Sequence, residues 1–512
     1  MRQPSASVMG KSVPPQTGTG AARSNDGGAS GARGTGGGDA ITCDICVIGA
    51  GSGGLSVAAA AAAFGRSVVL IEKHKMGGDC LNYGCVPSKA LIAAGKRAQT
   101  MRTTAPFGIT PHEPDIDARA VHDHVKSVIA AIEPNDSVAR FTGLGVRVIE
   151  APGRFIDKST VAAGDYLVKA RRFVIATGSS PFVPPIPGLD RVPYLTNETL
   201  FDVQSRIEHL VIIGGGPIGL ELAQAHHRLG ARVTVVEAAS ALAAEDPELA
   251  RVVVEHVRSE GVAIIEGAKV VEASGTHGYV RVTVDSGAAG GQHSIEGSHL
   301  LVATGRRPNV GELGLDAAGI KYDAKGITVD GGLVTSNRSV YAIGDVAGGP
   351  QFTHVANYHA GIVIRRALFW VPAKVDPTII PRVTFTDPEL AHVGMTEAAA
   401  AARHGKVKVL RWPYHENDRA QAERATAGHV KVVTDARGRI LGASIVGENA
   451  GELIQMWALA LSQRMNIRAM TGFVSPYPTL SEINKRAAYK FFAYAPSSPV
   501  IRKVIGLLEK LG

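Results

Sequence analysis

One pattern occurs twice in this chain and constrains its fold more than any other feature. Residues 46–72 read "CVIGAGSGGLSVAAAAAAFGRSVVLIE", and residues 209–237 read "HLVIIGGGPIGLELAQAHHRLGARVTVVE". Each is a β-branched run, a glycine turn, a helical stretch and a second β-branched run, which is the signature of a βαβ unit. Two such units about 165 residues apart predict two nucleotide-binding domains and not a short-period solenoid. The segment around residue 50 is apolar enough to suggest a membrane span, but its glycine and alanine density fits a buried strand, a turn and a closely packed helix. No integral membrane segment is expected.

Within each unit the glycines follow GxGxxG: Gly49, Gly51 and Gly54 in the first, Gly214, Gly216 and Gly219 in the second. The first glycine makes the turn, the second lets backbone approach a pyrophosphate, and the third permits close packing of helix on strand. Glu72 and Glu237 end the second strands, at the place where a carboxylate accepts from ribose hydroxyls. Because a carboxylate repels a 2′-phosphate, Glu237 points to NAD(H) over NADP(H), with Arg232 the nearby cation that would oppose this choice.

The rest of the chain is arranged around these units. Residues 1–40 are Gly, Ser, Ala, Pro and Thr with few large apolar groups, and are expected to form a disordered tail. We expect a first dinucleotide-binding domain over 41–185, a second over 186–306, a return to the first over 307–380, and a C-terminal α+β domain over 381–512. The fold class is therefore α/β, with two Rossmann-like domains and a third domain. The chain ends in "VIRKVIGLLEKLG", which puts Val500, Ile501, Val504, Ile505 and Leu508 on one helical face, expected to pack on this protein or a twin subunit. A membrane surface is the alternative occupant of that face.

Net charge is +8, but lysine and arginine are dispersed and no basic-aromatic recognition module occurs, so nucleic-acid binding is not expected. Only four cysteines occur in 512 residues, too few for a secreted disulfide framework, and with no leader pattern a reducing cytoplasm is the expected location. Cys43 and Cys46 lie in the first strand, where side chains three apart point to opposite faces, and are expected as buried structural residues. His122 and His124, two apart on a predicted helix, diverge. No metal site is assigned.

Cys80 and Cys85 stand in "GGDCLNYGCVPSK", residues 77–89. Zinc would need about four ligands, and no second pair lies nearby; two unrelated buried cysteines are the plainer alternative. Residues five apart on a regular helix differ by about 140°, so a bond between them calls for a distorted turn of the kind Gly84 and Asn82-Tyr83 allow. The helical run "VPSKALIAAGKRAQ" would place its positive end near the sulfurs, and Lys89 adds a cation. The pair is built to cycle between dithiol and disulfide.

In these motifs the chain resembles the pyridine nucleotide-disulfide oxidoreductases, flavoenzymes such as dihydrolipoamide dehydrogenase, glutathione reductase and mercuric reductase, from about residue 42 to 490. The resemblance implies that Gly49, Gly51, Gly54 and Glu72 hold the ADP part of FAD and that Asp345 holds the ribitol. Gly153, Thr177 and Gly178 would touch the same cofactor, and Gly305 would face the nicotinamide nucleotide. Cys85 would be the flavin-proximal, charge-transfer sulfur and Cys80 the exposed sulfur that exchanges with substrate. Lys89 would lie beside flavin N5 and pair with Glu221. A homodimer is implied, with electrons passing from NAD(P)H through FAD and the dithiol to an acceptor.

Disulfide-reducing members supply, from the partner subunit, a His followed five residues later by a Glu. Here "YPTLSE" keeps Glu482 but has Tyr477 at the histidine position. A phenol of ordinary pKa near 10 cannot shuttle protons at neutral pH as imidazole does. Tyrosine at this place resembles mercuric reductases, although the tail lacks their C-terminal cysteine pair and the N-terminal segment lacks a metal-binding domain. Three readings stand: an oxidoreductase acting on a metal ion, quinone or electron carrier; a dihydrolipoamide dehydrogenase with a variant base; and a flavin-bearing redox-sensing or binding protein.

Overall fold

The computed structural model describes residues 39–287 and 290–511. The expected disordered tail lies almost wholly outside them. The first sheet contains the parallel strands Val146–Glu150, β2 (Val68–Glu72), β1 (Asp39–Ile48) and Tyr166–Ile175, in that order. An antiparallel flap, Thr160–Ala163 and Gly153–Phe155, extends it, and Val340–Ala342 returns from far along the chain to pair with Tyr166–Ile175. Continuous β-branched runs such as "VVLIE" suit strands covered on both faces. Helix α1 (Ser52–Ala63) packs over this sheet on alanine and glycine, which explains why an apolar stretch of this composition folds inward.

The second parallel sheet runs Ala263–Ile265, Arg232–Val236, His209–Ile213, His299–Val302, Tyr194–Leu195, with a three-stranded antiparallel sheet, Lys269–Thr276, Tyr279–Asp285 and Gln292–Gly297, beside it. The two crossings between the parallel sheets pair with each other, Ser179–Pro181 against Arg306–Pro308. A five-stranded antiparallel sheet forms the third unit, ordered Arg382–Thr384, Glu389–Gly394, Ile440–Gly447, His429–Thr434, Lys408–Pro413. Its core closes on fully buried Trp457, whose indole N–H donates to Asn484 Oδ1 at 2.8 Å. Among the described residues no helix is long and apolar enough to cross a membrane.

One expectation needs correction. Cys43 and Cys46 share one apolar cluster, together with Ile48, while Ile45 and Val47 face the other side. The alternation slips at Asp44, because Asp44 N and Ile45 N both donate to Ser67 O, at 3.0 and 3.1 Å. Both thiols are free, and burial pushes both upward, Cys43 to about 11. The C-terminal helix Pro499–Leu508 forms, with Val500, Val504, Ile505 and Leu508 exposed in the single chain, which leaves the twin subunit as the expected occupant of that face.

Candidate active site

The two glycine loops are stereochemical copies. Gly49 and Gly214 take φ of +103° and +113°, and a Cβ on either would lie 2.4 Å from the carbonyl oxygen of Ala176 or Ala303 on the neighbouring strand. A Cβ on Gly54 or Gly219 would lie 1.9 or 2.0 Å from the oxygen of Gly49 or Gly214. The middle glycines differ in kind. Nothing stands within 4 Å of a Cβ built on Gly216, and only Gly78 Cα, at 4.0 Å, approaches one on Gly51. Glycine there leaves room for something outside the protein, at helix N-termini that no side chain caps.

Each loop is braced by its carboxylate. Glu72 accepts from Ala50 N at 2.6 Å and His74 N at 2.8 Å, and Glu237 accepts from Gly215 N at 2.7 Å and Ala239 N at 2.8 Å. A carboxylate has about four acceptor sites, so each retains capacity for ribose hydroxyls.

The cysteine segment sits against the first loop. Gly51 and Gly77 form an isolated parallel bridge, and a Cβ on Gly78 would come within 2.8 Å of Gly51 Cα. A short helix α2 (Gly78–Asn82) bears Cys80, and helix α3 (Cys85–Arg102) begins at Cys85. The break between them is the distorted turn expected from sequence. Gly84 there has φ −118° and ψ −112°, and a Cβ on it would strike Asp79 Oδ2 at 2.7 Å.

Both cysteines are thiols in the structure, within hydrogen-bonding reach of each other. The bond from Cys80 pulls the Cys85 thiol down to about 6 against the cost of burial, helped by the Thr353 hydroxyl and the Lys89 charge. That same bond drives Cys80 upward. Cys80 is half-buried and Cys85 exposed.

Lys89 Nζ lies 2.8 Å from Glu221 Oε2, and 4.4 Å from the centroid of the Phe385 ring. Glu221, on the helix of the second glycine loop, also accepts from Phe385 N at 2.8 Å. Asp345, in the turn Gly344–Ala347, accepts from Ser179 Oγ at 2.6 Å, and burial raises its pKa. Thr177 Oγ1 donates to Asn309 O at 2.9 Å, Gly178 has φ +66°, and Gly153 packs against Ile48 and Ile71. Gly305 has φ +118° with open space at its Cβ position.

Tyr477 and Glu482 belong to the third unit and bond within it. Tyr477 is 68% exposed and its hydroxyl donates to Asp418 Oδ2 at 2.9 Å; Glu482 accepts from Arg486 at 3.2 Å. The hydrogen bond to Asp418 raises the Tyr477 pKa further.

Several contacts were not foreseen from sequence. Thr353 Oγ1 is 3.4 Å from Cys85 Sγ. Arg306 ties the segment in place, with Nη2 3.1 Å from Asp79 Oδ1 and Nε donating to Ser179 Oγ at 2.7 Å. Asn197 donates to Asp79 Oδ1 and Tyr83 O, both at 3.1 Å. Only Arg306, one residue beyond the second "ATG", lay beside a motif that could have flagged it.

Comparison with known proteins agrees with this geometry. The family model described as pyridine nucleotide-disulphide oxidoreductase matches residues 43–360, and the dimerisation domain of the same family matches 380–488. The chain is 36% identical to a mercuric reductase of Lysinibacillus sphaericus over 88% of this chain and 82% of the relative. It is 35% identical to a dihydrolipoyl dehydrogenase of Geobacillus stearothermophilus over 88% and 96%. Among solved structures, LpdA of Mycobacterium tuberculosis superposes with TM-score 0.80 at 29% identity, covering 88% of this chain and all of the other. The Cu(II) complex of the HOCl-induced flavoprotein disulfide reductase RclA of Escherichia coli gives 0.78 at 27%, covering 88% and 99%. The chain belongs to the class I pyridine nucleotide-disulphide oxidoreductase family.

Proposed function

We propose that this chain is an NADH-dependent, FAD-containing oxidoreductase of the cytoplasm, working as a homodimer and passing two electrons through Cys80 and Cys85 to a thiol-bound metal ion of the mercuric type. The reading rests on one observation. A pair of free cysteines, with the Cys85 pKa pulled down, stands beside a glycine cradle with room for a cofactor, while tyrosine occupies the place of the exchange base.

The donor set fits FAD. Gly49, Gly51, Gly54 and Glu72 would hold its adenosine diphosphate, and Asp345, Gly153, Thr177 and Gly178 would line the remainder. Bound FAD would relay electron pairs between the nicotinamide and the cysteines. Gly214, Gly216, Gly219 and Glu237, with Gly305, would hold the nicotinamide nucleotide, and the Glu237 carboxylate favours a free 2′-hydroxyl.

The protein's own work is electrostatic and positional. Cys85 is kept anionic by the Cys80 hydrogen bond, Thr353 and Lys89, and Glu221 anchors Lys89. Cys80, the protonated partner, is the sulfur that would meet the acceptor. Transfer to a metal ion needs no proton at a leaving sulfur, so the Tyr477 phenol suffices where a dithiol–disulfide exchange would want an imidazole. Mercuric reductases among the relatives support this acceptor class. Dihydrolipoamide oxidation is the second reading, favoured by the near-complete coverage of a dihydrolipoyl dehydrogenase.

The deciding experiment is an acceptor screen under nitrogen with NADH, comparing thiol-complexed mercuric ion, quinones and lipoamide. Mercuric ion reduced to the elemental state with one NADH consumed per ion is the expected result. Faster turnover of lipoamide than of any metal ion or quinone would overturn the assignment.

A further inference from the structure

We propose that the first domain bears a second anion site, away from the glycine loops and the cysteines, for a phosphorylated small molecule with a flat ring, of mononucleotide size. A cavity of about 680 Å³ opens between the strand Tyr166–Ile175, the loop before Val340 and the segment after the helix Thr353–Ala367. Its size falls within the range of about 300–1,000 Å³ found for small-molecule sites.

Three guanidinium groups line it, Arg172, Arg338 and Arg366. Among the described residues none of them has a carboxylate within ion-pair distance. Arg172 Nε and Arg366 Nε are buried without a hydrogen-bond partner, and a buried donor of this kind is normally satisfied. The one carboxylate in the lining, Asp330, is engaged by its own loop, with Oδ1 accepting from Gly332 N at 2.8 Å and Val334 N at 2.9 Å. Three cations against one carboxylate select an anion.

The site is also shaped. Gly332 makes space for Arg366, since a Cβ there would lie 2.4 Å from its Cζ, and Arg366 Nη1 is held by Ala373 O at 3.2 Å. At the rim, Trp370 is 75% exposed and has φ +58°, a backbone state that bulky residues rarely adopt. A tryptophan held out in that way beside a cationic pocket offers a stacking face for a planar ring.

The test uses NAD-saturated, FAD-loaded enzyme labelled with 5-fluorotryptophan, so that the dinucleotide sites are filled. Fluorine NMR follows Trp370, assigned from the Trp370→Phe variant, with Trp412 and Trp457 as internal controls. Adenosine monophosphate should shift the Trp370 resonance saturably and bind about tenfold more tightly than inorganic phosphate, as one stacked ring would give. Arg172→Gln combined with Arg338→Gln should weaken it at least about tenfold while flavin content and NADH oxidation stay unchanged. No shift up to about 10 mM, equal binding of phosphate and the nucleotide, or an unchanged affinity in the double variant would each overturn the proposal.

Discussion

Lys89 Nζ sits 2.8 Å from Glu221 Oε2, joining the helix that starts at Cys85 to the helix that starts at the second glycine loop. The two ends of this pair are not equivalent, because the Glu221 side chain is 7% exposed and that of Lys89 is 37%. Removing the lysine strands a buried carboxylate, whereas removing the carboxylate's charge leaves an ammonium that reaches water. Lys89→Met should therefore lower stability by about 2 kcal/mol and Glu221→Gln by about half of that. Thermal unfolding of the two variants side by side checks the order; equal losses would show that the pair is a surface contact.

Cys85 should be the reactive thiol of the reduced enzyme below neutral pH. Its pKa is depressed, to about 6, so the thiolate predominates above that value and is lost as pH falls through it. Rates of iodoacetamide alkylation, read by peptide mass, should rise around pH 6 at Cys85 and stay flat at Cys80 until well above pH 9. Cys80→Ala should move the Cys85 curve to higher pH, since the donated hydrogen bond is the largest cause of the shift. A Cys85 curve centred on the ordinary thiol value would refute the arrangement.

The middle glycines allow a clean separation of cofactor approach from folding. An alanine at Gly51 or Gly216 meets no protein atom closer than 4.0 Å, and both residues have negative φ. Gly51→Ala should fold but purify with little flavin, and Gly216→Ala should retain flavin while KM for NADH rises about tenfold or more. Circular dichroism and flavin absorbance distinguish these outcomes. Full flavin content in Gly51→Ala would remove the first loop from the cofactor.

On the proposed function, Glu237 would set the choice of nucleotide through charge. With Ala239 N and Gly215 N already fixing its oxygens, the carboxylate would meet the ribose of a nucleotide bound at the second glycine loop. Glu237→Gln should cut the ratio of kcat/KM for NADH over NADPH by about tenfold, the scale of one charge-assisted contact. An unaltered ratio would assign selectivity elsewhere.

Tyr477→His should raise dihydrolipoamide oxidation by about tenfold or more, the lower range of a positioned general base. The introduced imidazole would inherit Asp418 as a partner, which raises its pKa, so the gain should grow from pH 6 to pH 8 as the base form appears. Metal-ion reduction should not improve. A variant with no added lipoamide turnover would mean that the missing imidazole is not what limits that reaction.

The sequence by itself determined both glycine loops, their carboxylates and the thiol pair, because each is a local device whose spacing along the chain is its geometry. Gly49, Gly54, Gly214 and Gly219 are legible for that reason: no side chain fits where they stand. Local reasoning failed where the neighbour is distant. Thr353 meets Cys85 across 268 residues, Asn197 reaches Asp79 across 118, and Phe385 N meets Glu221 across 164. The faces of Cys43 and Cys46 were misjudged because a shared carbonyl at Ser67 interrupts an alternation that sequence alone assumes to be regular. Short-range patterns encode which chemistry is possible; tertiary packing decided which charges and hydroxyls surround the sulfurs, since these electrostatic interactions weaken with distance in space and take no account of distance along the chain.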